Sequence, residues 1–400
     1  MKKICLTVVG MYFMLLHAFS QVTKDTAAFQ PRKLKLEEVN LVSSYYTQNG
    51  NHSAIGGGIG TEKVTDLANG LEVKWVGWDE HQRKNTLTAG MGIDHHTAAS
   101  QAYISKTGAS RRTDGLRLYP SADWTRENEQ KGTSFSLGAY YSNEFNYKSI
   151  GLNAGVTKKT KNNGEFGLKL SAYLDQVRLI YPSEFEPAGS YGGYGERRHP
   201  DYGSSPRQTY TASFSFSQVI NTKLQASLLL DLVQQHGYLG LPFHRVYFTD
   251  GTDSVENLPS TRFKLPIGLR LNYFMGDRVI LRGYYRYYTD NWGLQAHTGS
   301  LELTVKLTPF FSISPFYRYY TQTAVKYFSP YEAHLTTDRY YTSNYALSSF
   351  SSGFFGAGFR IAPPNGIFGT HLSALEIRYG HYTQTTDLVS DVFSLHLQFK

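Results

Sequence analysis

From Val39 to the end of the chain, apolar and polar side chains alternate with a period of two, the mark of strands whose faces meet different solvents. The final run VFSLHLQFK sets Phe393, Leu395, Leu397 and Phe399 on one face against Ser394, His396 and Gln398. FKLPIGLRLNY sorts Phe263, Leu265, Ile267, Leu269 and Leu271 in the same way, and LELTVKL sorts Leu301, Leu303, Val305 and Leu307. A helix would scatter these residues around its circumference. The pattern predicts sixteen strands, or fourteen should the short earliest candidates not form. Many reach the about 9–11 residues that a tilted strand needs to cross a bilayer.

The connections alternate too. After even-numbered candidates they are turn-like, as in INT (220–222) and MGD (275–277), whereas several odd-numbered candidates lead into long segments such as 321–349. A membrane barrel with turns at one end and loops at the other has this parity. Four loop-bound candidates end on related phrases: SYYTQ (44–48), RYYTD (286–290), RYYTQ (318–322) and GHYTQ (380–384). Tyrosine suits the headgroup level, where the ring sits in hydrocarbon and the hydroxyl in water. Tyr45, Tyr46, Tyr287, Tyr288, Tyr319, Tyr320 and Tyr382 are therefore expected to form an aromatic girdle. A fifth copy, RYYTS (339–343), falls within a long connection and does not fit that scheme.

Residues 1–20 carry Lys2 and Lys3, an apolar stretch, and small residues at −3 and −1 of a cut after Ser20, the pattern of a secretory signal. Residues 21–38 then read as a short periplasmic arm and 39–400 as one closed sheet, with no Pro- or Ser-rich hinge to divide it. No later apolar run is long enough for a membrane helix. The one cysteine, Cys5, leaves with the signal, which excludes disulfides, iron–sulfur clusters and thiolate-held zinc from the mature chain. A mean hydropathy of −0.38 beside 31 Tyr, 24 Phe and 4 Trp suits strands that face lipid on one side and water on the other. The formal charge of +8 comes with no basic run and no nucleic-acid motif, so it is read as lining a surface or a lumen.

Candidate chemistry is sparse. The stretch GNHSAIGGGIGTEKVTD (50–66) holds Gly56, Gly57, Gly58 and Gly60 but lacks the GxGxxG or GK[ST] spacing of a phosphate cradle. These glycines point instead to a sharp loop that packs at the mouth or folds into the lumen. His95 and His96 are adjacent on a strand, so they face opposite ways and chelate poorly together. Asp250, Asp253 and Glu256 depart from EF-hand spacing and read as a polar turn. With no GxSxG or HExxH signature, no catalytic residue, metal or cofactor is expected.

On the polar faces of the later strands, Arg270, Arg278, Arg282, Arg286, Lys306 and Arg318 stand against Glu302 alone. Such a basic wall in a wet lumen would favour anions. The competing reading is that these cations pair with acids of other strands, such as Asp123, Glu165 or Glu376, or hold down a plug loop.

The run SYYTQNGNHSAIGGGIGTEKVTD near the mature start, the strands that follow, and the aromatic-terminated last strand together resemble a Bacteroidota-type family of outer-membrane barrels known only as a domain of unknown function. The resemblance implies an outer-membrane barrel spanning nearly the whole mature chain, and a periplasmic redox or metal-handling context. Phe393, Leu395, Leu397 and Phe399 also resemble the terminal signal read by the barrel-assembly machinery, although Lys400 follows the aromatic. The expectation is a transmembrane antiparallel up-and-down β-barrel in the lipid of a Gram-negative outer membrane, acting as a porin-like channel or transporter for small solutes. The alternative is a closed or plugged barrel that serves as a docking platform for periplasmic or surface partners.

Overall fold

The computed structural model describes residues 30–97, 115–144, 146–185 and 202–400. The signal at 1–20 lies outside them, as do residues 21–29 of the expected arm.

The first half of the chain forms β1 (Arg32–Asn49), β2 (Val64–Trp78), β3 (Lys84–His96), β4 (Gly115–Asn128), β5 (Thr133–Glu144), β6 (Tyr147–Lys159), β7 (Gly164–Arg178), β8 (Ser204–Asn221) and β9 (Leu224–Gly237). A small separate pair follows, β10 (Arg245–Tyr247) and β11 (Asp253–Val255). The second half forms β12 (Thr261–Met275), β13 (Val279–Asp290), β14 (Gln295–Lys306), β15 (Phe311–Gln322), β16 (Phe350–Ile361), β17 (Leu372–Gln384) and β18 (Leu388–Phe399). Apart from β10 and β11, each strand pairs antiparallel with its chain neighbours, and β18 pairs with β1 to close a sixteen-stranded barrel. Closure sets Tyr45 beside Phe393 and Val39 beside Phe399.

Two placements differ from the sequence expectation. Residues 32–38, expected in the periplasmic arm, extend β1, with Arg32 opposite Trp78 and Lys35 opposite Val76. Register shifts between Arg32 and Lys35 and between Leu36 and Glu38 break the period-two pattern there, which conceals the strand. Arg278, expected on the inward face, lies in the turn 276–278 before β13, exposed at the barrel end.

The pairing sorts the side chains into two populations. Leu67, Leu137, Leu152, Leu170, Leu301 and Phe393 point outward and stay exposed in the isolated chain. In water such a surface would cost about 25 cal/mol per Å² of apolar area, but hydrocarbon removes that cost. Inward positions carry most of the charged and polar side chains, interspersed with glycines and with apolar residues such as Phe274, Ile280, Phe316 and Phe354.

Turns at 129–132, 160–163, 222–223 and 276–278 gather at one end of the barrel, and the long segments 50–63, 238–260 and 323–349 gather at the other. Part of the wall depends on glycine. A Cβ on Gly356 would meet the Tyr379 carbonyl and, at 2.7 Å, the Phe316 ring, and one on Gly380 would meet the Phe354 ring at 2.6 Å. Both rings therefore lie flat on the β16–β17 backbone. Gly356→Ala should lower barrel stability by about 1–3 kcal/mol through overpacking. Gly299→Ala, with open space around it, should change it little. Urea titration of the barrel folded into lipid vesicles checks both.

Candidate functional site

The lumen wall is divided by charge. The register turns Arg262, Lys264, Arg270, Arg282, Arg286, Lys306, Arg318, Arg360 and Arg378 inward from β12–β17, against Asp290, Glu302 and Glu376. Across the barrel the balance reverses. From β1–β5 the inward carboxylates are Glu38, Asp66, Glu72, Asp94, Asp123, Glu127 and Glu144, with Lys74, Lys84 and Arg117 as inward cations and Arg32 and Lys35 at the turn end of β1. Sixteen strands about 4.8 Å apart and tilted by about 40° place opposing backbones roughly 30 Å apart. That gap exceeds the Debye length of about 8 Å at physiological salt, so each wall acts on solutes largely by itself.

The basic wall is a lattice rather than a row of free charges. Glu302 accepts from Arg282 Nη1 at 2.6 Å and from Arg378 Nη2 at 2.7 Å. Glu376 accepts from Arg378 Nη1 at 3.2 Å and Arg360 Nη1 at 3.3 Å. Arg378 reaches β14 from β17 because Gly356 and Gly358 on β16 leave its path clear. Arg270, Arg286 and Arg318 have no carboxylate partner among the described residues. Arg270 instead lies over the Tyr284 ring at 5.9 Å and Arg318 over the Phe354 ring at 4.9 Å. Although they point inward from the middle of their strands, Arg270, Arg286 and Arg318 are exposed. Water-sized space therefore reaches the wall: the lumen is hollow.

The loop end is covered. The RYYTS segment finds its place here, where Tyr341 and Asn257 exchange backbone hydrogen bonds of 2.8 and 3.1 Å and join the 323–349 segment to the 238–260 segment. Buried Arg245 on β10 pairs with Glu184 and donates from Nη1 to the Ile55 carbonyl at 2.7 Å, so three separate loops meet on one guanidinium. Gly57, at φ +76°, lets the 50–63 loop lie on Tyr247; a Cβ there would come within 2.6 Å of that ring. A Cβ on Gly58 would come within 2.9 Å of the Ser343 carbonyl oxygen. His52 stacks on Tyr345 at 3.8 Å and donates from Nδ1 to the Gly58 carbonyl at 3.0 Å. Gly56 and Gly60 stand at the edges of this fold-over, Gly60 with no neighbour within 4 Å of a Cβ position. Beneath the cap is a cavity of about 610 Å³ whose lining includes Phe243, Leu258, Trp292, Arg117, Arg207 and Arg262.

The tyrosine phrases do two jobs, not one. Tyr45, Tyr287 and Tyr319 face outward, whereas Tyr46, Tyr288, Tyr320 and Tyr382 face the lumen. Four of the seven expected girdle residues are thus interior, because consecutive residues of a strand take opposite faces. Each interior hydroxyl donates to the side chain two residues on: Tyr46 to Gln48 at 2.5 Å, Tyr288 to Asp290 at 2.8 Å, and Tyr320 and Tyr382 to Gln322 and Gln384 at 2.6 Å. The held side chain then ties down the loop. Gln48 Nε2 donates to the Glu62 carbonyl at 3.1 Å and Gln322 Nε2 to the Ala346 carbonyl at 3.1 Å. Asp290, fully buried, accepts from Arg262 and from the Trp292 and Leu294 amides. The outward aromatics that the sequence reading missed are Tyr285, Tyr317 and Tyr379, each about half exposed and each two residues before a phrase tyrosine or histidine on the same face.

A family model matches residues 76–386, from the end of β2 into the last turn of the barrel. The chain belongs to the family described as Protein of unknown function (DUF3570). No curated protein matches the chain. Among solved structures, OpdQ of Pseudomonas aeruginosa is similar at 9% identity, with 90% of this chain and 97% of that chain covered and a TM-score of 0.40. A BenF-like porin from Pseudomonas fluorescens is similar at 7% identity, with 90% and 98% covered and a TM-score of 0.43. The deltaS2S3 mutant of the TodX monoaromatic hydrocarbon channel is similar at 8% identity, with 90% and 89% covered and a TM-score of 0.43. Likenesses this distant bear on neither solute nor mechanism. The barrel of this family member stands on its own closed register.

The remaining sequence candidates separate in space. His95 faces outward while His96 faces inward and meets Glu144 at 3.1 Å. Asp250 accepts from the Thr252 amide and hydroxyl within its own turn. Phe393, Leu395, Leu397 and Phe399 share the outward face of β18.

Glu256 is buried in the cap. Burial alone would raise its pKa, but His244 at 3.5 Å, the Thr342 hydroxyl and the Leu241 amide outweigh it and hold the carboxyl below its ordinary 4.5. A carboxylate with a lowered folded pKa stabilises the cap above about pH 4.5, and that contribution is lost as pH falls through the folded value. Half-buried Glu62 acts the other way, since burial raises its pKa. Being fully buried, Glu256 sets the sign. Acidification below about pH 4 should loosen the cap, read as faster protease cleavage within 238–260, and Glu256→Gln should remove that pH dependence.

Proposed function

We propose that the protein is a gated channel for small polar solutes in the outer membrane of a Gram-negative bacterium, closed at its loop end by the folded cap. The observation that carries this reading is the hollow lumen: inward Arg270, Arg286 and Arg318, midway along their strands in a closed, lipid-facing barrel, remain exposed. A barrel built as an inert support has no need of a wet charged interior, since buried charges are costly unless solvated or paired. The basic wall of β12–β17 offers anionic groups a path, and the acidic wall opposite offers one to cations. Net ion selectivity is accordingly modest, because the cation excess of β12–β17 and the carboxylate excess of β1–β5 largely offset each other.

The test is conductance and reversal potential of the refolded barrel in a planar bilayer under a salt gradient. Wild-type protein is expected to show mostly closed channels with brief openings. Arg245→Ala, which unties the 50–63, 179–185 and 238–260 segments, should raise the open fraction several-fold. The double change Arg282→Glu and Arg286→Glu should move the reversal potential toward cation preference. Silence in both the wild type and the opened variant would remove the channel reading and turn attention to the cap as a docking surface.

A further inference from the structure

The basic wall contains a second-level arrangement that a general anion preference does not require. Arg270, Tyr284, Ser300, Arg318 and Phe354 follow one another along a single register row of the inward face. A cavity of about 400 Å³ opens on this row, and Arg282, Glu302 and Arg378 complete its edge. Its volume falls in the range of small-molecule sites, about 300–1,000 Å³.

Four guanidinium groups border the cavity, and Glu302 occupies two of them through Arg282 and Arg378. Among the described residues, Arg270 and Arg318 hold no carboxylate. Each rests on an aromatic face, and Phe354 itself is held flat where Gly380 leaves room for it. A guanidinium fixed in this way loses less side-chain entropy on binding, and its fork matches the oxygens of a carboxylate or phosphate in a bidentate manner that a spherical halide cannot reproduce. Between the two arginines, Ser300 adds a hydroxyl that can donate.

We infer that this cavity is a binding station for a small dianionic oxyanion, a phosphate group or a dicarboxylate, held by Arg270 and Arg318 while Glu302 keeps Arg282 and Arg378 in position. The station deepens the channel reading by naming the class of solute that the basic wall retains. Glu302 serves as an internal carboxylate that spaces two of the guanidinium groups and limits how tightly the solute is held. A station of this kind makes passage saturable, because binding must be strong enough to recruit and weak enough to release.

The experiment is isothermal titration of the full barrel in detergent micelles at low ionic strength, with inorganic phosphate in one arm and succinate in the other. Chloride serves as competitor. Phosphate or succinate should bind in a roughly one-to-one ratio, and chloride should displace neither at equal concentration. Arg270→Gln with Arg318→Gln should weaken binding at least about tenfold, as loss of charge-assisted pairs predicts. Glu302→Gln should tighten it several-fold, an outcome that a purely structural role for Glu302 would not give. Lys131→Gln with Lys161→Gln, two charges removed from exposed turns, should leave binding unchanged. Phosphate binding without succinate assigns a tetrahedral group, and the reverse assigns a dicarboxylate. Absence of binding in both arms, equal displacement by chloride, or an unaffected Arg270–Arg318 double variant would overturn the station. Because titration needs no current, a barrel that binds but never conducts would sink the channel reading alone, and one that conducts without binding would sink the station alone.

Discussion

The structure depends on one constraint: in hydrocarbon, every strand amide and carbonyl needs a protein partner. An open sheet fails at its two edges. Pairing of β1 with β18, continuous from Val39 opposite Phe399 to Asn49 opposite Val389, removes both edges at once. Everything else follows from that ring. Closure fixes which residue of each strand faces lipid, and so gathers polar side chains that are hundreds of residues apart onto one interior surface.

The interior is specialised by what the backbone leaves out. Gly356, Gly358 and Gly380 lie on the inward face, where their missing side chains let Phe316, Phe354 and Arg378 lie against the wall. The guanidinium groups of the basic wall are propped by rings and by Asp290, Glu302 and Glu376. Opposite, carboxylates such as Asp123 and Glu72 give the second wall its own character. Similar economy governs the tyrosine phrases: one residue faces outward, the next ring locks a Gln or Asp side chain, and in three of them that side chain ties the loop above it.

Much of this was legible in the sequence. Alternation pointed to sixteen strands and left fourteen open, the closed ring has sixteen, and the pattern fails in residues 32–38 where bulges interrupt it. Turn and loop parity gives the two ends. Alternation also assigns Arg270, Arg282, Arg286, Lys306 and Arg318 to a common face, whereas Arg278 required knowing where the β12–β13 turn closes. The YY pairs carried their own answer, since neighbours in a strand cannot both face lipid. Arg378 reaching Glu302 across two strands, and Arg245 meeting Glu184 and Ile55, left no trace in the chain, because such contacts depend on curvature and closure rather than on local pattern.

The cap joins segments far apart along the polypeptide: Arg245 and Ile55 are separated by 190 positions. The ring of strands brings them together, so the ladder of strand pairs has already met the entropy of closing so long a loop. The dependence runs one way. Untying the cap leaves the hydrogen-bonded ring whole, whereas a break in the ring separates the segments that the cap is made from.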